Sequence, residues 1–232
     1  MPQWQRATLV ESHHISCNVK SLTFTVDGWQ PHQCGQFYDV SIDGGQTSRC
    51  YSVASAPETE GRVEFGVELI SGGTVSPTLH KLISGDSILV SGPYGLPVFT
   101  WNYEMLGSLV LIGGGSGIVP LISMVRHYVT HRDTAPRAVT IISSAVTADD
   151  LVYHQELLTL IYGYSEISYT PIATQDMKWQ GRRDRINLSL LTEVLDAQSH
   201  VYVCGSFALV AEVGDLAQSL VPTSQVHREY FG

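Results

Sequence analysis

Apolar and polar positions alternate in short runs along the first hundred residues. Between Arg6 and about Phe99 the chain reads ATLVE, SLTFTV, QFYDVSI, RCYSVAS, VEFGVEL and SILVSG. Clusters of Gly, Pro, Asp and Ser separate these runs at intervals of roughly 8–15 residues, the rhythm of an all-β barrel or sandwich. One stretch departs from it. SPTLHKLI sets Leu79, Leu82 and Ile83 at helical spacing and predicts a short helix. The pattern predicts an N-terminal antiparallel β-barrel with a helix over one end.

From Leu109 the period changes to strand then helix. LVLIGG and AVTIISS are continuous apolar runs of the kind buried on both faces of a sheet. Each is followed by a helical pattern, VPLISMVRHYV and then DDLVYHQELLTL. EISYTPIA, LSLLTEVL, HVYVCGS and ALVAEVGDLAQSL continue the alternation. This predicts a C-terminal α/β domain on a parallel sheet. FTWNYEMLG carries neither pattern and lies between Pro97 and Gly107, so the chain divides into residues 1–103 and 104–232.

Composition narrows the function. With 44% apolar and 15% charged residues the chain is a folded protein, not a disordered one. A net charge of −9 argues against non-specific binding to nucleic acid or anionic membranes, which needs a basic surface. No run reaches the roughly 18–20 apolar residues of a membrane span. The start, MPQWQRATLVESHH, lacks a secretory pattern, and the expected location is cytoplasmic. Cys17, Cys34, Cys50 and Cys204 are far apart with no CxxC, so neither a disulfide framework nor a metal or iron–sulfur ligand set is expected. His127 and His131 have i, i+4 spacing but no evident third ligand, and read as a solvated helix face.

Four segments carry chemistry. GGGSGIVP, Gly113 to Pro120, joins an apolar strand to an apolar helix. Its glycines permit close backbone approach to a pyrophosphate at a helix N-terminus, although Ile118 stands where a full GxGxxG has its last glycine. RCYS, Arg49 to Ser52, sets a charge, a flat ring and a hydroxyl on one strand, with Arg49 and Tyr51 aimed to one face and Cys50 and Ser52 to the other. GGTVSPTLH opens the short helix with Ser76 as its expected cap. VYVCGS ends a buried strand at the carboxyl edge of the sheet, where open α/β folds bind ligands.

In order along the chain, RxYS, GxxS, GPYG, GGGxGxxP, CG(P/S) and a terminal ExF resemble the ferredoxin–NAD(P)H reductase superfamily, from about Arg6 to Gly232. The resemblance implies an FAD-binding barrel, a nicotinamide-nucleotide domain, and hydride transfer between the two rings at their interface. It places Arg49 on the FAD pyrophosphate, Tyr51 against the isoalloxazine, Ser52 near flavin N5 with Val53 beside it, and Gly73, Thr74, Val75 and Ser76 around the pyrophosphate. Gly114, Gly115, Ser116, Gly117 and Pro120 would hold the nicotinamide nucleotide, with Arg182 and Arg185 as further cofactor contacts. Cys204 and Gly205 would sit beside the nicotinamide. Glu229 takes the acidic position, to relay a proton or position the ring, and Phe231 takes the aromatic one. Ser52, Cys204 and Glu229 are the implied catalytic residues.

Three departures bear on this. Glu68 stands where relatives often carry a basic residue, Ser206 follows Gly205 where Pro is common, and no CxxxxCxxC iron–sulfur segment occurs. The implied activity is therefore transfer of electrons from NAD(P)H through FAD to a separate acceptor, a ferredoxin feeding an oxygenase or cytochrome. A free-standing flavin or ferric reductase and a non-autonomous electron-transfer subunit are the alternatives. NADH is expected over NADPH, because Ser144, Ala145, Val146 and Thr147, then Asp149 and Asp150, offer no cation for a 2′-phosphate. The cluster Arg182, Arg183 and Arg185 argues for NADPH.

Overall fold

Six strands, β1 (Gln5–His14), β2 (Val19–Val26), β3 (Phe37–Ser41), β4 (Ser48–Ser52), β5 (Arg62–Glu68) and β6 (Ser87–Tyr94), pair antiparallel in the order β4-β3-β6-β1-β2-β5. They are seen in a computed structural model that describes residues 3–95, 97–101, 107–132 and 138–231. The expected 103/104 boundary lies outside the described residues. The two edge strands meet just past β4, where Val53 bridges Phe65 and the Ala54 N–H donates to the Glu64 carbonyl at 2.8 Å. That contact closes the sheet into the expected barrel. Alternate positions of β2 and β5, among them Leu22, Phe24, Val63, Phe65 and Val67, fill its interior with Tyr38, Val40 and Val90. Each such fully buried side chain contributes roughly 1.5–3 kcal/mol. The helix α1 (Val75–Leu79) is shorter than SPTLHKLI predicted. The Asp86 carboxylate accepts from the Ile83 N–H at 2.8 Å, which turns the chain and leaves Ile83 exposed.

The second domain is a parallel sheet in the order β11-β10-β7-β8-β9. Its strands are β7 (Leu109–Gly114), β8 (Val139–Ala145), β9 (Ile167–Ala173), β10 (His200–Ser206) and β11 (Val226–Phe231). Its helices are α2 (Val119–His131), α3 (His154–Gly163), α4 (Leu188–Val194) and α5 (Phe207–Gln218). Strand β7 is apolar throughout because both its faces are covered. Leu109 and Leu111 pack with Leu121, Met124 and Leu157 from α2 and α3, while Val110 and Ile112 pack with Leu190, Leu191, Val210 and Val213 from α4 and α5. Two details differ from the pattern. DDLVYHQELLTL becomes helical only at His154, since a Thr147–Asp150 capping box closes a separate short turn and Tyr153 adopts a left-handed φ of 57°. VHREYF, too polar to read as a strand, pairs along β10 as the sheet edge.

The two domains share an apolar seam in which Val19, Cys34, Ala54, Phe99 and Trp101 join the α2–α3 core. A charged bridge lies beside it. Arg126 of α2 binds Glu156 of α3 at 2.7 Å and Glu64 of β5 at 2.6 Å, and the Tyr153 hydroxyl donates to Glu64 at 2.7 Å. Among the described residues no helix is long and apolar enough to cross a membrane.

Candidate active site

A cavity of about 900 Å³ opens where the barrel meets the parallel sheet. One wall is β4, an edge strand with β3 as its ladder partner. The strand's open edge faces the cavity, so Arg49, Cys50, Tyr51 and Ser52 all line it, not only one alternating pair. Val53, one residue on, is fully buried in the barrel core and is not part of the lining. The Arg49 side chain is exposed and donates to its neighbour's carbonyl, Ser48 O, at 2.7 Å. Among the described residues it has no carboxylate partner, so its charge is left for the cavity. Burial pushes the Tyr51 hydroxyl up to about 12 against the opposing charge of Arg49, and the ring stays a neutral, half-buried surface.

Gly73, Thr74, Val75 and Ser76 form the next part of the wall. Ser76 is not the cap: Thr74 holds the N-cap position without a side-chain bond, and the Ser76 Oγ instead accepts from the Ile70 N–H at 3.0 Å. That bond fixes the loop, and the Val75 and Ser76 amides at the first turn have no capping side chain.

The facing wall comes from the parallel sheet. Gly114 ends β7 and Gly115 and Ser116 follow it, where Gly115 takes a φ of +55° that favours glycine. Gly117 lies beneath, where a Cβ would come within 2.3 Å of the Cys204 carbonyl oxygen, so only glycine lets the turn pack on β10. Pro120 is buried in the first turn of α2, away from the cavity, and sets the direction of that helix. Ser116 Oγ donates to Glu68 Oε2 at 2.7 Å, and Asn18 donates to the other oxygen at 3.3 Å. The residue that departs from a basic pattern thus ties the two domains together.

Gly205, Ser206, Glu229, Tyr230 and Phe231 complete the lining. The β10–β11 register sets Cys204 beside Glu229, and the thiol donates to Glu229 Oε2 at 3.7 Å. Cys204 itself is fully buried behind the wall. Burial raises the Glu229 carboxyl to about 7, and burial together with Glu229 pushes the Cys204 thiol well above its ordinary range. The pair is therefore a proton-bearing carboxyl poised near neutrality beside an inert thiol.

A second cavity of about 510 Å³ adjoins the first and shares Glu68, Gly114, Gly115, Ser116 and Ser206 with it. Val146, Asp150, Thr174, Gln175, Arg185 and Glu212 line its far side. The arginine cluster is divided: Arg185 reaches this cavity, whereas Arg182 lies outside it and pairs with Glu193 of α4 at 3.5 Å. The sequence pattern did not point to Phe37, Ile70 or Tyr230 in the first cavity, or to Thr174, Gln175 and Glu212 in the second. Ile70, apolar and two residues before the Gly72–Gly73 pair, was the one local signal among them.

Residues 6–99 match the oxidoreductase FAD-binding domain family and residues 111–215 the oxidoreductase NAD-binding domain family. Over 239 aligned positions the chain is 31% identical to ferredoxin–NADP reductase B of Sorangium cellulosum, covering 97% of this chain and 96% of that protein. It belongs to the ferredoxin–NAD(P)H reductase superfamily. As a member of that superfamily it is an oxidoreductase that binds FAD in the barrel and a nicotinamide dinucleotide on the parallel sheet. It is also 33% identical over 172 residues to the reductase component DmpP of a Pseudomonas phenol 2-monooxygenase, covering 72% of this chain and 47% of that one. The chain thus spans about half the length of that relative. A ferredoxin NADP⁺ reductase from Neisseria gonorrhoeae, solved with FAD and NADP, has the same fold, with a TM-score of 0.81, 21% identity and 99% of each chain covered.

The residues of the first cavity suit a flavin dinucleotide. Arg49 and the opening amides of α1 can meet a pyrophosphate, Tyr51 and Phe231 offer ring surfaces, and the volume lies at the upper end of the roughly 300–1,000 Å³ usual for such pockets.

Proposed function

We propose that this superfamily member takes reducing equivalents from NADH and delivers them singly to a separate acceptor protein, a ferredoxin that serves an oxygenase or cytochrome. Residues 1–103 form the flavin unit in this reading and residues 104–232 the nucleotide unit. The observation that carries it is the meeting of the two cavities along Glu68, Gly114, Gly115, Ser116 and Ser206. Cofactors held in the two cavities would meet there, so the protein's contribution is alignment. Bound FAD supplies the conversion of a two-electron donor into one-electron steps.

The chain's own groups divide the remaining work. Arg49 neutralises phosphate charge, and Tyr51 covers one ring face and keeps water from it. Ser52, 8% exposed at the cavity wall, offers a hydroxyl for a ring heteroatom. Glu229 holds or releases a proton near neutral pH, and Cys204 fixes its carboxylate. The reading of a separate acceptor is supported by relatives named as ferredoxin reductase and as reductase components of oxygenases.

The test is an anaerobic titration of the flavin-loaded protein with NADH and with NADPH, followed by presentation of acceptors. Bleaching of the flavin absorbance by NADH, with reoxidation by an added ferredoxin faster than by free flavin or ferric chelates, is the expected result. Faster reoxidation by the small molecules would replace the protein acceptor with a diffusible one.

A further inference from the structure

Away from both cavities, three metal-ligating side chains converge across the domain seam. Glu58 lies on the loop between β4 and β5, whereas His127 and His131 are one turn apart on α2. One donor atom from each lies within 4.8 Å of the other two. Sequence spacing suggested a solvated pair without a third ligand, but His127 is only 7% exposed, and the third group comes from the other domain. We propose that Glu58, His127 and His131 form a site for a divalent transition metal of the zinc type, which clamps the barrel loop to α2.

The chemistry of the donors suits such an ion. Two imidazoles and one carboxylate form a set that zinc accepts, with a further position open to water. The ligand bonds of about 2.0–2.2 Å in a tetrahedral site put donor atoms about 3.4 Å apart, inside the 4.8 Å that spans these three. The His127 and His131 rings are already 4.5 Å apart between centroids.

Hydrogen bonding also orients the rings. His131 Nδ1 lies 3.1 Å from the His127 carbonyl oxygen. The same Nδ1 lies 3.4 Å from Glu58 Oε1, so one carboxylate oxygen faces both imidazoles. His127 Nδ1 lies 2.5 Å from Glu58 Oε1 with a proton between them. An entering metal takes the place of that proton and releases it to solvent. The His127 ring is held by an edge contact with Trp101 at 5.6 Å.

His32 adds an independent observation. It is 3% exposed. Its Nε2 lies 3.0 Å from the Ser55 carbonyl, which places the proton there and leaves Nδ1 as a lone pair, buried without a partner. Such an orphaned nitrogen is costly in a core unless something uses it.

The experiment is isothermal titration of Zn²⁺ into the chelator-treated, FAD-loaded full chain, with the thermal midpoint read in parallel. One Zn²⁺ per chain and a rise in midpoint are expected. Glu58→Gln and His131→Ala, both at partly exposed positions, should each weaken Zn²⁺ binding at least about tenfold and abolish the rise. Both should retain flavin and metal-free NADH oxidation, which shows that they fold. Binding well below one ion per chain, or wild-type affinity in both variants, overturns the site. So does a loss of affinity that follows Cys17→Ser or Cys50→Ser instead.

Discussion

Arg126 Nη1 lies 2.6 Å from Glu64 Oε2, and this ion pair joins α2 of the nucleotide domain to β5 of the barrel. Both side chains are largely buried, so each depends on the other for compensation. Burial alone would hold Glu64 protonated. The Arg126 charge, its hydrogen bond and those from Ser21 and Tyr153 outweigh burial and place the carboxyl below its usual range.

Removal of one partner should therefore leave an uncompensated buried charge. Arg126→Ala is expected to lower unfolding stability by about 3–5 kcal/mol, read from urea denaturation at neutral pH. The sign of the pH effect follows from the depressed carboxyl. Its contribution is fully present above the unfolded-state value of about 4.3 and is lost as pH falls through the lower folded value. Glu64→Gln should flatten this acid limb of the stability curve, and an unchanged limb would remove Glu64 as its source.

At the flavin cavity, Arg49→Ala should loosen FAD more than it disturbs the fold. Arg49 is exposed and bonds only a neighbouring carbonyl, so little packing is lost. A charge-assisted phosphate contact is worth about 1.5–3 kcal/mol, or roughly ten- to a hundredfold in affinity. Flavin retention on a desalting column and the Kd from fluorescence quenching measure it. Tyr51→Ala should act in the same direction.

The strands that carry these groups were legible because their apolar patterns are local. Six barrel runs and the buried β7, β8 and β10 appear where period and glycine placement put them. What could not be read depends on tertiary approach. VHREYF pairs as β11 because β10 offers a free edge, although its own pattern is polar. RCYS was read as two faces, yet the open edge of β4 brings all four residues to the cavity. The basic cluster looked like one unit until Arg182 turned to Glu193 and Arg185 alone reached the nucleotide cavity. Glu64 and Arg126, and likewise Glu58 and His127, are more than sixty positions apart, and no spacing rule connects them.

Glu229 should give flavin reduction a pH dependence near neutrality. Its carboxyl is raised to about 7 by burial, so it exchanges its proton in the physiological range. Glu229→Gln and Cys204→Ala are expected to slow stopped-flow reduction by NADH roughly ten- to a hundredfold through misplacement at the site, with the flavin spectrum intact. Glu229→Gln should also remove the inflection near pH 7. The stability effect runs opposite to that of Glu64. A raised carboxyl contributes fully below the unfolded value of about 4.3 and loses that contribution as pH rises through about 7. Reduction rates at the wild-type value in both variants would sink the assignment.

Preference for NADH over NADPH turns on the charge at the far side of the second cavity. A 2′-phosphate needs a cation there, ideally the bidentate fork of an arginine. Among the described residues, Glu68, Asp150 and Glu212 line this cavity against the single cation Arg185, and Val146 stands half exposed where a phosphate-selecting chain would place its charge. Asp150 cannot readily turn away, because it caps the Thr147 turn at 2.6 Å and accepts from the Cys17 thiol at 3.0 Å. A dianion brought close would meet fixed negative charge. The expected result is a higher kcat/KM for NADH. Val146→Arg should then raise kcat/KM for NADPH by roughly tenfold or more, the scale of one charge-assisted phosphate contact, with little change for NADH. Arg185→Ala, if Arg185 serves the pyrophosphate that both nucleotides share, should weaken the two alike. A higher kcat/KM for NADPH in the wild type, lost selectively in Arg185→Ala, would show that one arginine outweighs the three carboxylates.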